Sequence, residues 1–356
     1  MNTSDIVAAL TRIYEEETPS QEDLISLLSV SDDAGLRLIF ETADRVRRRH
    51  VGNTVPVRGI IEFSNYCRNA CRYCGLNRDN RALRRYRLDR ELILDAVDAV
   101  EGEGVNTIVL QSGEDGALDP SWLARLIGEI KAQADAAVTL SVGEWPGEYY
   151  RLWREAGADR FLLKHETANP SLYEELHEGA AFGERTAHLR LLKALGYQVG
   201  AGNIVGLPGQ TAKDLAADIL FMKELSVDMA GIGPFIPHPH TALAGVPEGS
   251  LVMTLKVVAL TRIVLKDVHL PATTALGSIH PLGREMALSA GANVIMVDIT
   301  PAPYAALYEI YPGRRGAGEE IFRRLAAIRQ IIHSCGRTIA SGRGDAIRLC
   351  KKHPED

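Results

Sequence analysis

The chain has 356 residues, 46% hydrophobic and 24% charged, enough to bury one large core or two ordinary ones. A formal net charge of −6 argues against general attraction to nucleic acid or to anionic membranes, and no run of 18 apolar residues predicts a membrane span. The acidic N-terminus has no basic start or apolar core of a secretion signal, and five cysteines, three of them clustered, do not make a disulfide framework, so a cytoplasmic protein with reduced thiols is expected.

Residues 1–50 read as a helical extension: SDIVAALTRIYEE and SQEDLISLLSV each begin at a serine suited to capping, and AGLRLIFETADRVRRRH repeats its apolar positions at three-to-four spacing. From residue 55 short apolar runs alternate with longer amphipathic ones. Eight strands are predicted, at 55–63, 106–111, 137–142, 159–164, 198–205, 228–233, 270–275 and 293–297, with helical stretches between them, several ending in Gly. Eight strand–helix units over about 250 residues predict an α/β fold of the TIM type, a (β/α)8 barrel of parallel strands, with an open doubly wound sheet as the alternative. The expected division is an N-terminal extension over 1–50, a barrel over 51–312, and a C-terminal helical tail over 313–356 packed on the barrel.

Barrels of this kind carry their chemistry on loops after the C-terminal ends of strands. The loop after the first predicted strand reads CRNACRYCG, with Cys67, Cys71 and Cys74 as candidate catalytic groups and metal ligands. Structural zinc takes four protein ligands, commonly as two close pairs, and the next cysteine is Cys335, so zinc would need a histidine such as His165, His238 or His240. A cube of four irons held by three thiolates instead leaves one iron free for a non-protein ligand. The spacing C-x3-C-x2-C, with Tyr73 before the last cysteine, resembles the radical S-adenosylmethionine (SAM) superfamily. That resemblance implies one 4Fe-4S cluster, SAM bound at its open iron, and reductive cleavage of SAM to methionine and a 5′-deoxyadenosyl radical.

The other strand ends offer polar groups. QSGED (111–115) holds acceptors for an ammonium, VTLSVGEWP alternates Thr139, Ser141 and Glu144 with apolar neighbours, and KHETANP sets Lys164, His165, Glu166 and Thr167 in succession. Taken alone, these also suit turns, helix caps and a hydrogen-bonded structural His165. GAGNIVGLPGQT lacks the spacing of a dinucleotide fingerprint. GIGPFIPHPHTAL is proline-stiffened and could wall a cavity, Thr273 and Thr274 stand at the seventh strand, and Met296 lies on the eighth. Tyr308 and Tyr311 are spaced as neighbours on one helical face.

In order along the chain, IIEFSNYCRNACRYCGLNRDN, TIVLQSGED, VTLSVGEWPGEYY, LLKHETANPSLY, GLPGQT, GIGPFIPHPHT, PATTALGSI and GANVIMVDITPAPY resemble the HydE family of radical SAM FeFe-hydrogenase maturases over about residues 40–312. The resemblance implies a full barrel enclosing SAM and substrate. The substrate would be a small iron complex with carbonyl, cyanide and cysteine ligands, supplied by HydG, and the product would feed H-cluster assembly together with HydF and an electron donor. It further implies SAM contacts by Tyr73, Gln111, Glu114, Thr139, Glu166, Arg185 and Pro234, and a substrate end formed by Lys164, Thr273, Thr274, Met296 and Tyr308. Lys164 stands where the family has Arg. The region YEIYPGRRGAGEE lacks the cysteines that hold an accessory cluster in some members, so one cluster is expected. Methylornithine synthase and biotin synthase are related alternatives, the latter needing cysteines this chain lacks; a zinc-holding scaffold without catalysis is the alternative from another class.

Overall fold

The computed structural model describes residues 1–314 and 318–350, the side chain of Cys350 apart. Of the expected tail, residues 315–317 and 351–356 therefore lie outside the described residues.

Eight parallel strands form one sheet: β1 (Val57–Ser64), β2 (Val105–Ser112), β3 (Ala137–Ser141), β4 (Arg160–Leu162), β5 (Gln198–Ala201), β6 (Met229–Ala230), β7 (Pro271–Ala272) and β8 (Val294–Asp298). Their order, β7-β8-β1-β2-β3-β4-β5-β6, leaves β6 and β7 at the ends, and a parallel bridge from Met229 to His269 joins them into a barrel. Each strand falls on a predicted apolar run. β1 is buried along its whole length, as a strand covered by helices outside and packed side chains inside must be. Two predicted strands are broken. The run 198–205 divides into β5 and Ile204–Val205, and 228–233 gives β6, after which Gly233–Pro234 pairs with Ile204–Val205 above the barrel rim. The run 270–275 is a strand only at β7, because a helix already begins at Thr274.

Three helices precede the barrel, α1 (Thr3–Glu15), α2 (Gln21–Leu28) and α3 (Asp33–His50). Ser20 caps α2 through its side chain, whereas α1 starts earlier than Ser4 would have it: Asn2 accepts from the Asp5 amide in a capping box. The extension covers the helix Leu251–Leu265, whose residues 254–264 are all buried. Lys256, at its centre, donates to the carbonyls of Leu28 and Val30 at the end of α2, so its buried charge is solvated by protein.

The chain after residue 320 forms the amphipathic helix Ile321–Ser334 beside β8, then Thr338–Ile339 pairs with Thr54–Val55. The next residues enter the N-terminal mouth of the barrel. Arg160, with no exposed surface, donates to Arg343 O and Asp345 Oδ1, both at 2.8 Å, and Thr107 donates to Arg343 O at 2.9 Å. Gln198 and His269 bind Asp345 as well, through its side chain and its carbonyl. Residues 343–346 are thus a stopper in the barrel floor, a role that the helical-tail expectation did not contain.

Candidate active site

The loop after β1 carries the three cysteines at the C-terminal mouth. It is fixed by backbone bonds to three separate elements: the Arg68 amide to Glu114 O (2.9 Å), the Arg72 amide to Leu176 O (3.0 Å) and the Gly75 amide to Ile310 O (2.9 Å). Two glycines permit this closeness. A Cβ on Gly113 would lie 2.3 Å from Tyr66 O, and one on Gly75 would lie 2.1 Å from Glu309 O.

Cys71 and Cys74 open into a cavity of about 350 Å³ inside the barrel. Burial pushes all three thiols above the ordinary thiol value, Cys74 to about 12, with the neighbouring thiols adding to the rise at Cys71 and Cys74. A bound cation reverses that penalty, because a coordinating thiol loses its proton outright. Among the described residues no group of three or more His, Cys, Asp or Glu side chains is disposed to hold a single metal ion. His165 accepts from the Gly202 amide through Nδ1, packs on Phe221 and has Nε2 3.5 Å from Asp218, so it ties neighbouring elements together, while the His238 Nδ1 accepts from the His240 amide within its own loop. The donor set suits a cluster, in which each thiolate takes a different iron.

Gln111, Thr139, Lys164, Glu166, Pro234, Thr273, Thr274, Met296 and Tyr73 line the same cavity. The buried hydroxyl of Thr139 has no partner among the described residues, and Glu166 holds a left-handed backbone (φ 64°), strain that a binding site tolerates. Lys164 Nζ lies 3.0 Å from Glu166 Oε2. His177 Nδ1 lies 2.7 Å from Tyr173 O and so carries the proton; its Nε2 then accepts from the Tyr73 hydroxyl at 2.8 Å and fixes that ring. A fixed ring, a hydroxyl without a partner among the described residues and a carboxylate on a strained backbone, beside the cysteine loop, fit a cluster and a zwitterionic nucleoside ligand.

Three expected residues stand apart from the cavity wall. Glu114 binds Arg68 (2.6 Å) and the Glu144 amide (2.9 Å) at the rim. Arg185 lies 2.6 Å from Glu144 and donates to Lys164 O. Burial alone would lower its pKa, but Tyr173, Glu144 and Glu166 outweigh burial and raise it. Tyr308 is buried in the core, and no helix runs through 308–311, contrary to the spacing argument; Tyr311 is the tyrosine that reaches the cavity.

Four charged groups that sequence reasoning passed over face or border the cavity: Arg58, Glu62, Asp298 and Arg314. Arg314 forks onto Glu62 at 2.6 and 2.9 Å and lies 3.5 Å from Asp298. Burial pushes the Glu62 carboxyl up even against Arg314. The signal was available, since Arg58 and Glu62 share one face of a strand whose neighbours are apolar, and charges inside such a strand belong to a lumen.

The barrel and its three-thiol mouth define a radical SAM enzyme, and residues 61–222 match the model of the radical SAM superfamily. The HydE maturase subunit of Thermotoga maritima is 51% identical over 318 residues, spanning 89% of this chain and 91% of that one. The chain belongs to the HydE family. The 3-methylornithine synthase of Methanosarcina acetivorans is 32% identical over 83% of this chain and 84% of its own. Among solved structures, a methylornithine synthase superposes with a TM-score of 0.83 at 27% identity, covering 93% of this chain and 97% of that one. The FeFe-hydrogenase maturase HydG superposes with a TM-score of 0.82 at 19% identity, covering 98% and 79%, a likeness of fold. No helix among the described residues is long and apolar enough to cross a membrane.

Proposed function

We propose that Cys67, Cys71 and Cys74 hold one 4Fe-4S cluster and that the enzyme cleaves SAM to act on an iron complex bearing carbonyl, cyanide and cysteine ligands, in assembly of the FeFe-hydrogenase H-cluster. When bound, the cluster would supply an open iron for the amino and carboxylate groups of SAM and the electron for its cleavage. The observation that carries the reading is that Cys71 and Cys74 open into the same barrel cavity as Thr273, Thr274 and Met296. SAM and substrate would therefore meet without solvent between them, as a primary alkyl radical requires.

The residues divide the work by chemistry. Gln111, Thr139 and Glu166 offer acceptors and donors to the ribose and amino acid parts of SAM, and Tyr73, fixed by His177, flanks the adenine. Arg185 sits beside this end, where its planar fork suits a carboxylate once released from Glu144. Lys164, 3.0 Å from Glu166, would offer a point charge to an anionic ligand once that pair opens, and Thr273 and Thr274 would add hydroxyls on the substrate side. HydG and HydF are the proposed functional partners, with a separate one-electron donor.

A second reading, an amino acid mutase, draws on the identity to 3-methylornithine synthase over most of both chains. One anaerobic experiment separates the two. The protein is reconstituted with iron and sulfide and reduced, its electron paramagnetic resonance (EPR) spectrum is recorded with and without SAM, and 5′-deoxyadenosine is quantified with the iron–cysteine complex or with lysine. A four-iron signal that responds to SAM, with deoxyadenosine formation and loss of the iron complex, is expected. Turnover of lysine instead would replace the maturase reading, and a cluster indifferent to SAM would overturn both.

A further inference from the structure

The segment that returns over the cysteine loop is rich in arginine: residues 67–90 contain eight arginines and two aspartates in a chain whose net charge is −6. Most of those beside the thiols are neutralised. Arg68 pairs with Glu114 at 2.6 Å, Arg72 with Glu175 at 3.2 Å and Arg87 with Asp115 at 2.7 Å. Arg85 differs. Among the described residues it makes no ion pair, and its guanidinium is spent on main-chain carbonyls: Nη1 donates to Asn65 O (2.5 Å) and Leu76 O (2.9 Å), and Nη2 to Asn77 O (2.6 Å) and Asn80 O (3.3 Å). Asn65 lies two residues before Cys67 and Leu76 two after Cys74, so one planar fork ties both ends of the loop and holds a full positive charge between them.

We propose that Arg85 is a positioning residue that sets the reduction potential of the cluster, an inference that rests on the radical SAM reading above. Reduction adds one electron, and so one negative charge, to a group already ligated by three thiolates; no atom moves. A fixed cation bound to both ends of the loop that carries those thiolates lowers the cost of that charge, and net charge around a cluster is one of the recognised determinants of its potential. Arginine suits the task because its planar fork reaches several carbonyls at once and so fixes where its charge stands. Paired arginines contribute little here, since each adjacent carboxylate cancels the field of its partner.

The test separates charge from clamp. Wild type, Arg85→Gln and Arg85→Lys are reconstituted anaerobically, iron content is measured, and each holoprotein is titrated with dithionite in mediator-buffered solution while the EPR signal of the reduced cluster is followed. Arg85→Gln, which loses the charge, should lose at least tenfold in the reduction equilibrium, a fall of 59 mV for one electron. Arg85→Lys, which loses the fork and keeps the charge, should stay well within that shift whatever its iron content. Equal midpoints in wild type and Arg85→Gln, or a fall in Arg85→Lys as large as in Arg85→Gln, would overturn the proposal. So would failure of both variants to take up iron, which would make Arg85 a clamp and nothing more. Absence of a SAM-responsive cluster in the wild type would instead be the failure of the proposed function.

Discussion

Replacing Thr139 by Val should improve the protein's stability and damage its binding. Thr139 is 2% exposed on β3, lines the cavity, and its hydroxyl has no hydrogen-bond partner among the described residues. An unsatisfied buried hydroxyl costs about 1–3 kcal/mol, and Val keeps the branched shape without the hydroxyl. The ligand-free protein should therefore gain about 1 kcal/mol, or roughly 2 °C in melting temperature for a chain of this size. If the hydroxyl is kept for SAM, the lost bond should cost about 1 kcal/mol in the complex, roughly a fivefold rise in Kd. Thermal unfolding of the unliganded protein, and calorimetric titration of the unreduced, cluster-loaded protein with SAM, read the two effects separately. A variant that is less stable by 1 kcal/mol or more and binds SAM unchanged would refute the reasoning, because the hydroxyl would then be a structural group.

Replacing any one of Cys67, Cys71 or Cys74 by Ala should abolish SAM cleavage, measured as deoxyadenosine, whereas Cys335→Ser should leave iron content unchanged; a drop by about half in the latter would point to a second cluster. Asp345→Ala should destabilise the fold by about 2 kcal/mol in urea unfolding. That is below the 3–5 kcal/mol for a wholly buried pair, because Asp345 retains 30% side-chain exposure while Arg160 has none. The pH dependence has a definite sign. Burial would raise the Asp345 carboxyl, but its bonds to Gln198 and Arg160 outweigh burial and hold it below the usual value, so its contribution is complete above about pH 4 and is lost as the pH falls through the depressed value. Asp345→Asn should accordingly flatten the acid limb of the stability profile, and an unchanged limb would show the carboxylate to be idle.

The barrel was legible because each strand is a run of apolar residues between amphipathic ones, and a run of eight buried positions such as β1 leaves few alternatives. The cysteine loop was legible because spacing in sequence is spacing in space when all ligands sit on one loop. Other features depend on partners far away in the chain. Tyr308 and Tyr311 have helical spacing, but Asn65 takes the Leu307 carbonyl and the Gly75 amide takes that of Ile310, so the segment is stretched over the cysteine loop instead of coiling. The shared face of Arg58 and Glu62 marked a lumen, but the partner of Glu62, Arg314, stands 252 positions on and could not be read from the strand. Arg185 could be placed near the site by resemblance, yet its attachment to Glu144 follows only from how β3 and the helix Phe182–Ala194 meet.

The stopper in the barrel floor also fixes an order of events in time. A ribosome releases the N-terminal helices and all eight strands before residues 343–346 emerge, and domains fold as they are made. Through that interval Arg160 on β4, Thr107 on β2 and Gln198 on β5 lack the bonds to Arg343 and Asp345 that the finished protein gives them. The nascent barrel therefore remains open at its base, with the Arg160 guanidinium held only by Thr107 and Gln198, and water can occupy the lumen from below. Arrival of residues 343–346 is what shuts it, so a message stopped before residue 343 would encode Cys67, Cys71, Cys74 and all eight barrel strands, yet yield a vessel that cannot hold its contents dry.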